Sequence, residues 1–162
     1  MIHLQSRRMT LRQMLSKSEN KKIMNASPLE YDGIFFKSKL EKMTYQTLKE
    51  SGFPVEYEPR KFIIWEGFKP TVPFYNKDKS TRMLKKDCKK LINTSYTPDF
   101  VFTYGGYLII IESKGMENDL FPLKKKMFRK WLEEHEPKSI YFEIYTKKQL
   151  LQAIDIIRNL KK

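Results

Sequence analysis

From Tyr31 onward the apolar positions fall into short runs and stripes whose period changes along the chain. Tyr31 to Phe36 reads as a short extended segment or hairpin, with Asp32-Gly33 as its turn. The period then lengthens. In "SKLEKMTYQTLKESG", residues 38–52, Leu40, Thr44, Thr47 and Leu48 share one side of a predicted helix, and Gly52 stands where a helix ends. Residues 55–67, "VEYEPRKFIIWEG", supply strand material interrupted by Pro59. "SYTPDFVFTYGGYLIIIESKG", residues 95–115, predicts two strands folded back around Gly105-Gly106. A helix follows over residues 118–137, with Asn118 or Asp119 as cap and Pro122 in the first turn. Its expected buried stripe is Leu123, Met127, Phe128, Trp131 and Leu132. "SIYFEIY" is a further strand. The last helix opens on a Thr146-x-x-Gln149 capping box and turns Leu150, Ile154 and Ile157 inward. The order predicts an α/β fold, a mixed sheet covered by helices.

Two segments depart from this pattern. Residues 1–30 are Met-rich and basic and carry no clear core stripe, so they read as a mobile arm or one loosely docked helix preceding a folded domain over 31–162. Residues 67–93 form a long insertion within that domain, and from Lys77 to Lys90 it holds seven Lys/Arg against two Asp. Segments of this length between elements usually have a function of their own, and contact with nucleic acid is the expectation here. The whole chain points the same way: 162 residues hold 32 Lys/Arg and 19 Asp/Glu, a net charge of +13, which implies a polyanionic partner.

The remaining composition mainly excludes. Cys88 is the single cysteine, so no disulfide can form within the chain, and a reducing cytoplasmic setting is expected. With His3 and His135 far apart, an ordinary Cys/His zinc site is ruled out. No apolar run approaches the roughly 20 residues needed to span a bilayer, so no membrane partner is expected.

The candidate chemistry lies in the hairpin. With Gly105-Gly106 at its centre, Tyr104 opposes Tyr107. Counting outward, Asp99 then opposes Glu112 on one face, and Thr97 opposes Lys114 two positions along. Directly opposed carboxylates destabilise a strand pair by up to about 1 kcal/mol, so a compensating group is expected: a proton shared between the acids, a lysine, or a bound cation, of which a divalent cation with oxygen ligands fits best. Mg²⁺ suits the site, because it accepts one or two carboxylates and fills its shell with water and phosphate oxygens; Mn²⁺ is an expected substitute. The Ser113 carbonyl can add a ligand, and Lys114 can orient an attacking water or stabilise developing charge.

At "TPDF", residues 97–100, and "IESKG", residues 111–115, the sequence resembles the PD-(D/E)xK nuclease superfamily. Asp99, Glu112 and Lys114 match its bipartite motif, and residues 37–145 match its helix, sheet, helix and strand order. Together with "KSKLEKMTYQTLKESGFPVEYE", these motifs are similar to the phage endonuclease I family, which resolves four-way DNA junctions. "DGIFFKSKLE" and "KKKMFRKW" also resemble related small phage nucleases. The resemblance implies a restriction-endonuclease-like αβββαβ core and an Mg²⁺-dependent DNA endonuclease of phage or bacterial origin, cytoplasmic, and in the bacterial host's cytoplasm if phage-encoded. It further implies that Glu41 joins the metal site, whereas spacing alone makes Glu41 the partner of Ser38 in a capping box. Branched DNA is the expected substrate, and a homodimer the expected assembly. A different nuclease of the superfamily and a noncatalytic DNA-binding module are the alternatives. Lys124, Lys125, Lys126, Arg129 and Lys130 on the helix after the site, with Lys85 and Lys86 in the insertion, are the expected phosphate contacts.

Overall fold

The computed structural model describes residues 29–116 and 118–160. The basic arm expected over residues 1–30 therefore lies outside the described residues, except Leu29 and Glu30, which already belong to a strand. That strand, β1 (Leu29–Tyr31), pairs with β2 (Ile34–Phe36) across Asp32-Gly33. Both turn residues have positive φ, the conformation a two-residue hairpin turn demands and Asp-Gly supplies. Helix α1 (Lys39–Glu50) follows, capped by the Ser38 side chain. Its buried face is Glu41, Thr44, Tyr45 and Leu48. The stripe is thus turned by about one position from the expected one, which had Leu40 and Thr47 in it. Tyr45 takes the core position because its ring packs among Tyr31, Phe36 and Phe100, while its hydroxyl bonds Asp32.

The central sheet has four strands in the order β10 (Ser139–Ile144), β9 (Tyr107–Ser113), β8 (Phe100–Tyr104) and β3 (Glu56–Tyr57). β8 and β9 form the antiparallel hairpin in the anticipated register, from Tyr104 opposite Tyr107 to Phe100 opposite Ile111. Both turn glycines have positive φ. β9 and β10 run parallel and are joined through helix α2 (Phe121–His135). Helix α3 (Lys147–Arg158) closes the fold, opened by the Thr146–Gln149 capping box. Beside the sheet, β4 (Phe62–Trp65) pairs with β7 (Thr94–Tyr96), on either side of the insertion. Pro59 falls in the break between β3 and β4, as expected.

Three layers result. On one face, Tyr45 and Leu48 of α1 and Leu150, Ala153, Ile154 and Ile157 of α3 pack against Phe100, Phe102, Ile109 and Ile111. On the other, Phe121, Phe128 and Leu132 of α2 pack with Phe62, Ile64 and Tyr96 against Val101 and Ile110. Successive isoleucines of β9 therefore feed both cores, which is why that strand is a continuous apolar run. Leu123, expected inside, is exposed, and Phe121 is buried in its place. Helix α2 starts at Phe121, and neither cap candidate is its N-cap residue. Asn118 nevertheless serves the helix start, accepting from the amides of Leu120 and Phe121.

The insertion is not an irregular loop. Its centre is a hairpin of β5 (Phe74–Lys77) and β6 (Leu84–Asp87). Its base is closed where the Gly67 amide donates to Asn93 Oδ1 and the Leu91 amide to the Phe68 carbonyl. Any side chain at Gly67 would run into the backbone of Leu91 and Ile92. The sequence hid this hairpin because its strands contain three lysines and bury almost nothing.

Phe128→Ala is expected to cost about 3–5 kcal/mol of unfolding free energy by deleting a fully buried ring. Leu123→Ala should change it by less than about 0.5 kcal/mol. Urea unfolding of the two variants checks the placement of α2.

Candidate active site

β8 and β9 carry the site at the end of the hairpin away from Gly105-Gly106. The ladder stops at Phe100 opposite Ile111, so Asp99 and Glu112 are the next facing positions, just beyond it. Both are buried, at 8% and 5% exposure. The chain bends at Asp99, and Thr97 is exposed and outside the ladder, so the expected Thr97–Lys114 opposition does not form as a strand pair.

The bend has a local cause. Continued one more step, the register would set Pro98 opposite Ser113. Proline has no N–H to give the Ser113 carbonyl, and the Ser113 amide instead donates to Asp99 Oδ2 at 2.7 Å. One carboxylate oxygen of Asp99 thus finishes the ladder in place of backbone. The Ser113 side chain bonds Thr44 Oγ1 at 3.0 Å, which ties β9 to α1.

Glu112 is less well satisfied. Oε1 accepts from Lys114 Nζ at 3.2 Å, while Oε2 is buried and makes no close hydrogen bond, with the Tyr96 hydroxyl and the Asp99 amide as the donors nearest the carboxylate. A buried, unsatisfied carboxylate oxygen costs on the order of 1–3 kcal/mol or more. Burial, followed by the Glu112 and Glu41 charges, holds the Asp99 pKa well above the ordinary carboxylate range. Burial also raises Glu112, while the Lys114 charge and donation from the Tyr96 hydroxyl and the Asp99 amide pull the other way. The Tyr96 phenol, 3.0 Å from that of Tyr141, is pushed up by burial and then by the Glu112 charge, so it stays protonated.

Lys114 is fixed from two sides. Its ammonium pairs with Glu112 and lies 4.1 Å above the centre of the Phe121 ring, a cation–π contact. Lys125 approaches the same ring, at 5.1 Å, and pairs with Glu143 Oε2 at 3.0 Å. Glu143 is the parallel-strand partner of Glu112. Sequence reasoning missed Glu143, Phe121 and Tyr96, because a parallel register and a helix docking position leave no local signal.

Glu41, 7% exposed, lies on α1 facing this region. Its Oε1 accepts from Ser38 Oγ at 2.9 Å, and its Oε2 from the Lys37 amide at 3.1 Å and the Tyr57 phenol at 2.6 Å. The capping geometry is therefore real, although the amide it reaches is that of Lys37 and not Ser38. Glu41 still acts on Asp99 through its charge. Lys37, paired with Glu58, is a second cation close to Glu41 and Asp99.

Among the described residues, no three His, Cys, Asp or Glu side chains form a ready-made metal cage. Mg²⁺ does not require one, since one or two carboxylates suffice when water and substrate phosphate complete its shell. Glu112 Oε2, which makes no close hydrogen bond, and the neighbouring Asp99 fit that demand.

A family model described as "Protein of unknown function (DUF1064)" matches residues 20–148. The chain belongs to the DUF1064 family. The match spans Glu41, Asp99, Glu112 and Lys114 as well as the β5–β6 hairpin, and ends at the start of α3. No curated protein and no solved structure matches the chain.

The basic residues of this DUF1064 chain separate into groups. On α2, Lys126 and Arg129 are exposed, Lys124 is half-buried, Lys125 is engaged with Glu143, and Lys130 lies 3.6 Å from Glu134. On the hairpin, Lys86 is exposed, and Lys85 lies 3.7 Å from Asp78. Among the described residues no helix is long and apolar enough to cross a membrane.

The raised carboxylates have a consequence for stability. A group that holds its proton more tightly when folded stabilises the fold at low pH, and that contribution is lost as pH rises above the normal carboxylate range. Asp99→Asn keeps an acceptor for the Ser113 amide and removes the charge. In EDTA at pH 7 it should stabilise the protein by roughly 0.5–2 kcal/mol and flatten the fall in stability between acid and neutral pH. Thermal melts across that range are the measurement.

Proposed function

We propose that the protein is a metal-dependent endonuclease of the PD-(D/E)xK type that hydrolyses DNA phosphodiester bonds, with branched DNA preferred. The observation that carries this reading is the pair of buried carboxylates, Asp99 and Glu112, at facing positions, with Lys114 held beside them and Glu112 Oε2 making no close hydrogen bond. Such a pair lowers the stability of the strands that present it, which a purely structural or noncatalytic DNA-binding role would not call for. The mixed sheet supports the restriction-endonuclease-like reading: an antiparallel hairpin carries the acids, and a helix connects it to a parallel strand.

Asp99, Glu112 and the Ser113 carbonyl would hold Mg²⁺, or Mn²⁺ in its place, with Glu41 assisting from α1. When bound, the ion lowers the pKa of a coordinated water and neutralises the nonbridging phosphate oxygens. Lys114, constrained by Glu112 and the Phe121 ring, orients the attacking water and faces the charge that develops on phosphorus oxygens. The water oxygen bonds to phosphorus as the bridging P–O bond breaks, and the departing oxygen takes a proton. Lys126, Arg129 and Lys124 on α2 hold the flanking phosphates, contacts that position DNA without reading its sequence. Resolution of a four-way junction takes two incisions, which a homodimer supplies.

The test uses a labelled four-way junction, a linear duplex and a single strand, each with Mg²⁺ or EDTA. Cleavage is expected only with the metal and preferentially on the junction. Lys114→Ala should slow it by about 10²–10⁴-fold while binding in EDTA is unchanged. No cleavage with either Mg²⁺ or Mn²⁺ rejects the nuclease reading. Equal cutting of duplex and junction rejects the preference for branches.

Glu41 needs a separate variant. Glu41→Gln retains hydrogen-bonding capacity toward Ser38 and Tyr57, so it should melt close to wild type yet cleave more slowly. Wild-type cleavage by that variant would reduce Glu41 to a capping residue.

A further inference from the structure

The β5–β6 hairpin contributes to neither core. β5 is exposed throughout and β6 is exposed except at Asp87, which is half-buried. Two-stranded ribbons of this kind are marginally stable alone, yet this one is held at its base by the Gly67–Asn93 and Leu91–Phe68 bonds. Residues 67–93 carry eight Lys/Arg and two Asp. Both acids serve local structure. Asp78 Oδ1 accepts from the amides and hydroxyls of Ser80 and Thr81, which hold its pKa far below the usual range, and Asp87 accepts from the Lys89 amide. Most of the cationic charge is left for a partner.

The cross-strand register sorts the side chains. Tyr75 opposes Lys86, and Lys77 opposes Leu84, so these four share one face. Aromatic or apolar groups and ammoniums alternate there in a checkerboard, with Tyr75 at 57% and Leu84 at 75% exposure. Lysines alone would be explained as protection of open ribbon edges. An exposed ring between them adds nothing to that protection and works against solubility.

We propose that this hairpin binds unpaired bases of single-stranded DNA, with Tyr75 as the stacking platform and Lys77 and Lys86 on the adjoining phosphates. Base faces stack on aromatic rings whatever the sequence, while cations beside the ring follow the backbone. Duplex DNA hides those faces and would leave Tyr75 without a partner. A second copy of the hairpin would bring like charge against like. The assignment rests on the nucleic-acid part of the proposed function and deepens it: a branch or single-stranded flank becomes the feature that the enzyme recognises apart from its cleavage site.

Fluorescence anisotropy on the full chain in EDTA, with a labelled single strand and the blunt duplex of the same sequence, separates the possibilities. Tyr75→Leu, which preserves an apolar strand residue, should weaken single-strand binding by roughly tenfold and leave the duplex unaffected. Tyr75→Trp should retain or strengthen it, which distinguishes lost stacking from a misfolded hairpin. Lys86→Ala should weaken the single strand and reduce the salt dependence of binding. Unchanged single-strand affinity in Tyr75→Leu overturns the proposal, as does an equal loss on duplex; either would leave the surface to the duplex or to an acidic protein. Because no cleavage is measured, absent nuclease activity with normal Tyr75-dependent binding would reject only the nuclease reading.

Discussion

The bond from the Ser113 amide to Asp99 is the constraint on which the site depends. Pro98 has no N–H, so the β8–β9 ladder cannot continue in the ordinary way. A carboxylate takes the acceptor role that backbone would have filled. That single substitution anchors Asp99 at the sheet's end, buries it, and sets it facing Glu112 across the hairpin. Burial then raises both acids, and Lys114 and the Phe121 ring confine the nearby positive charge. The instability thereby concentrated at the end of β9 is offset by the two hydrophobic cores that hold Ile109, Ile110 and Ile111.

The layers around the hairpin have different tasks. The α1 side supplies Glu41, Thr44 and Tyr57, which reach the site through hydrogen bonds or charge. The α2 side supplies Phe121, beneath two lysines, and an outer face rich in cations. β10 contributes Glu143 at a position that pairs with Glu112, and its charge is matched by Lys125. Each acid near the site thus has its own cation or donor set, and Glu112 Oε2 is the atom that makes no close hydrogen bond. That pattern suits a site whose remaining valence is completed from outside the chain.

Much of this was legible from local pattern. The Gly105-Gly106 turn fixed the hairpin register because side chains alternate strictly along a strand, and the observed pairing agrees. The Thr146–Gln149 box and Pro59 likewise act over a few residues and appear where their chemistry demands. Prediction faltered where a longer-range choice decided. The buried face of α1 includes Tyr45 because Phe36 and Phe100 meet its ring. The α2 stripe includes Phe121 and excludes Leu123 because the helix lies across Phe62 and Val101. The β5–β6 hairpin escaped notice because strands that bury neither face have no hydrophobic alternation to read.

The sequence by itself determined the α/β order, the facing positions of Asp99 and Glu112, the lysine two residues beyond, and the excess of positive charge. These follow from turn chemistry, strand period and composition, which act locally or by simple addition. Only the tertiary structure decided that Glu41 is gripped by Lys37, Ser38 and Tyr57, that Glu143 lies alongside Glu112, and that one buried oxygen of Glu112 makes no close hydrogen bond. Those facts depend on parallel pairing and on how helices dock, and both bring together residues whose separation along the chain gives no sign of it.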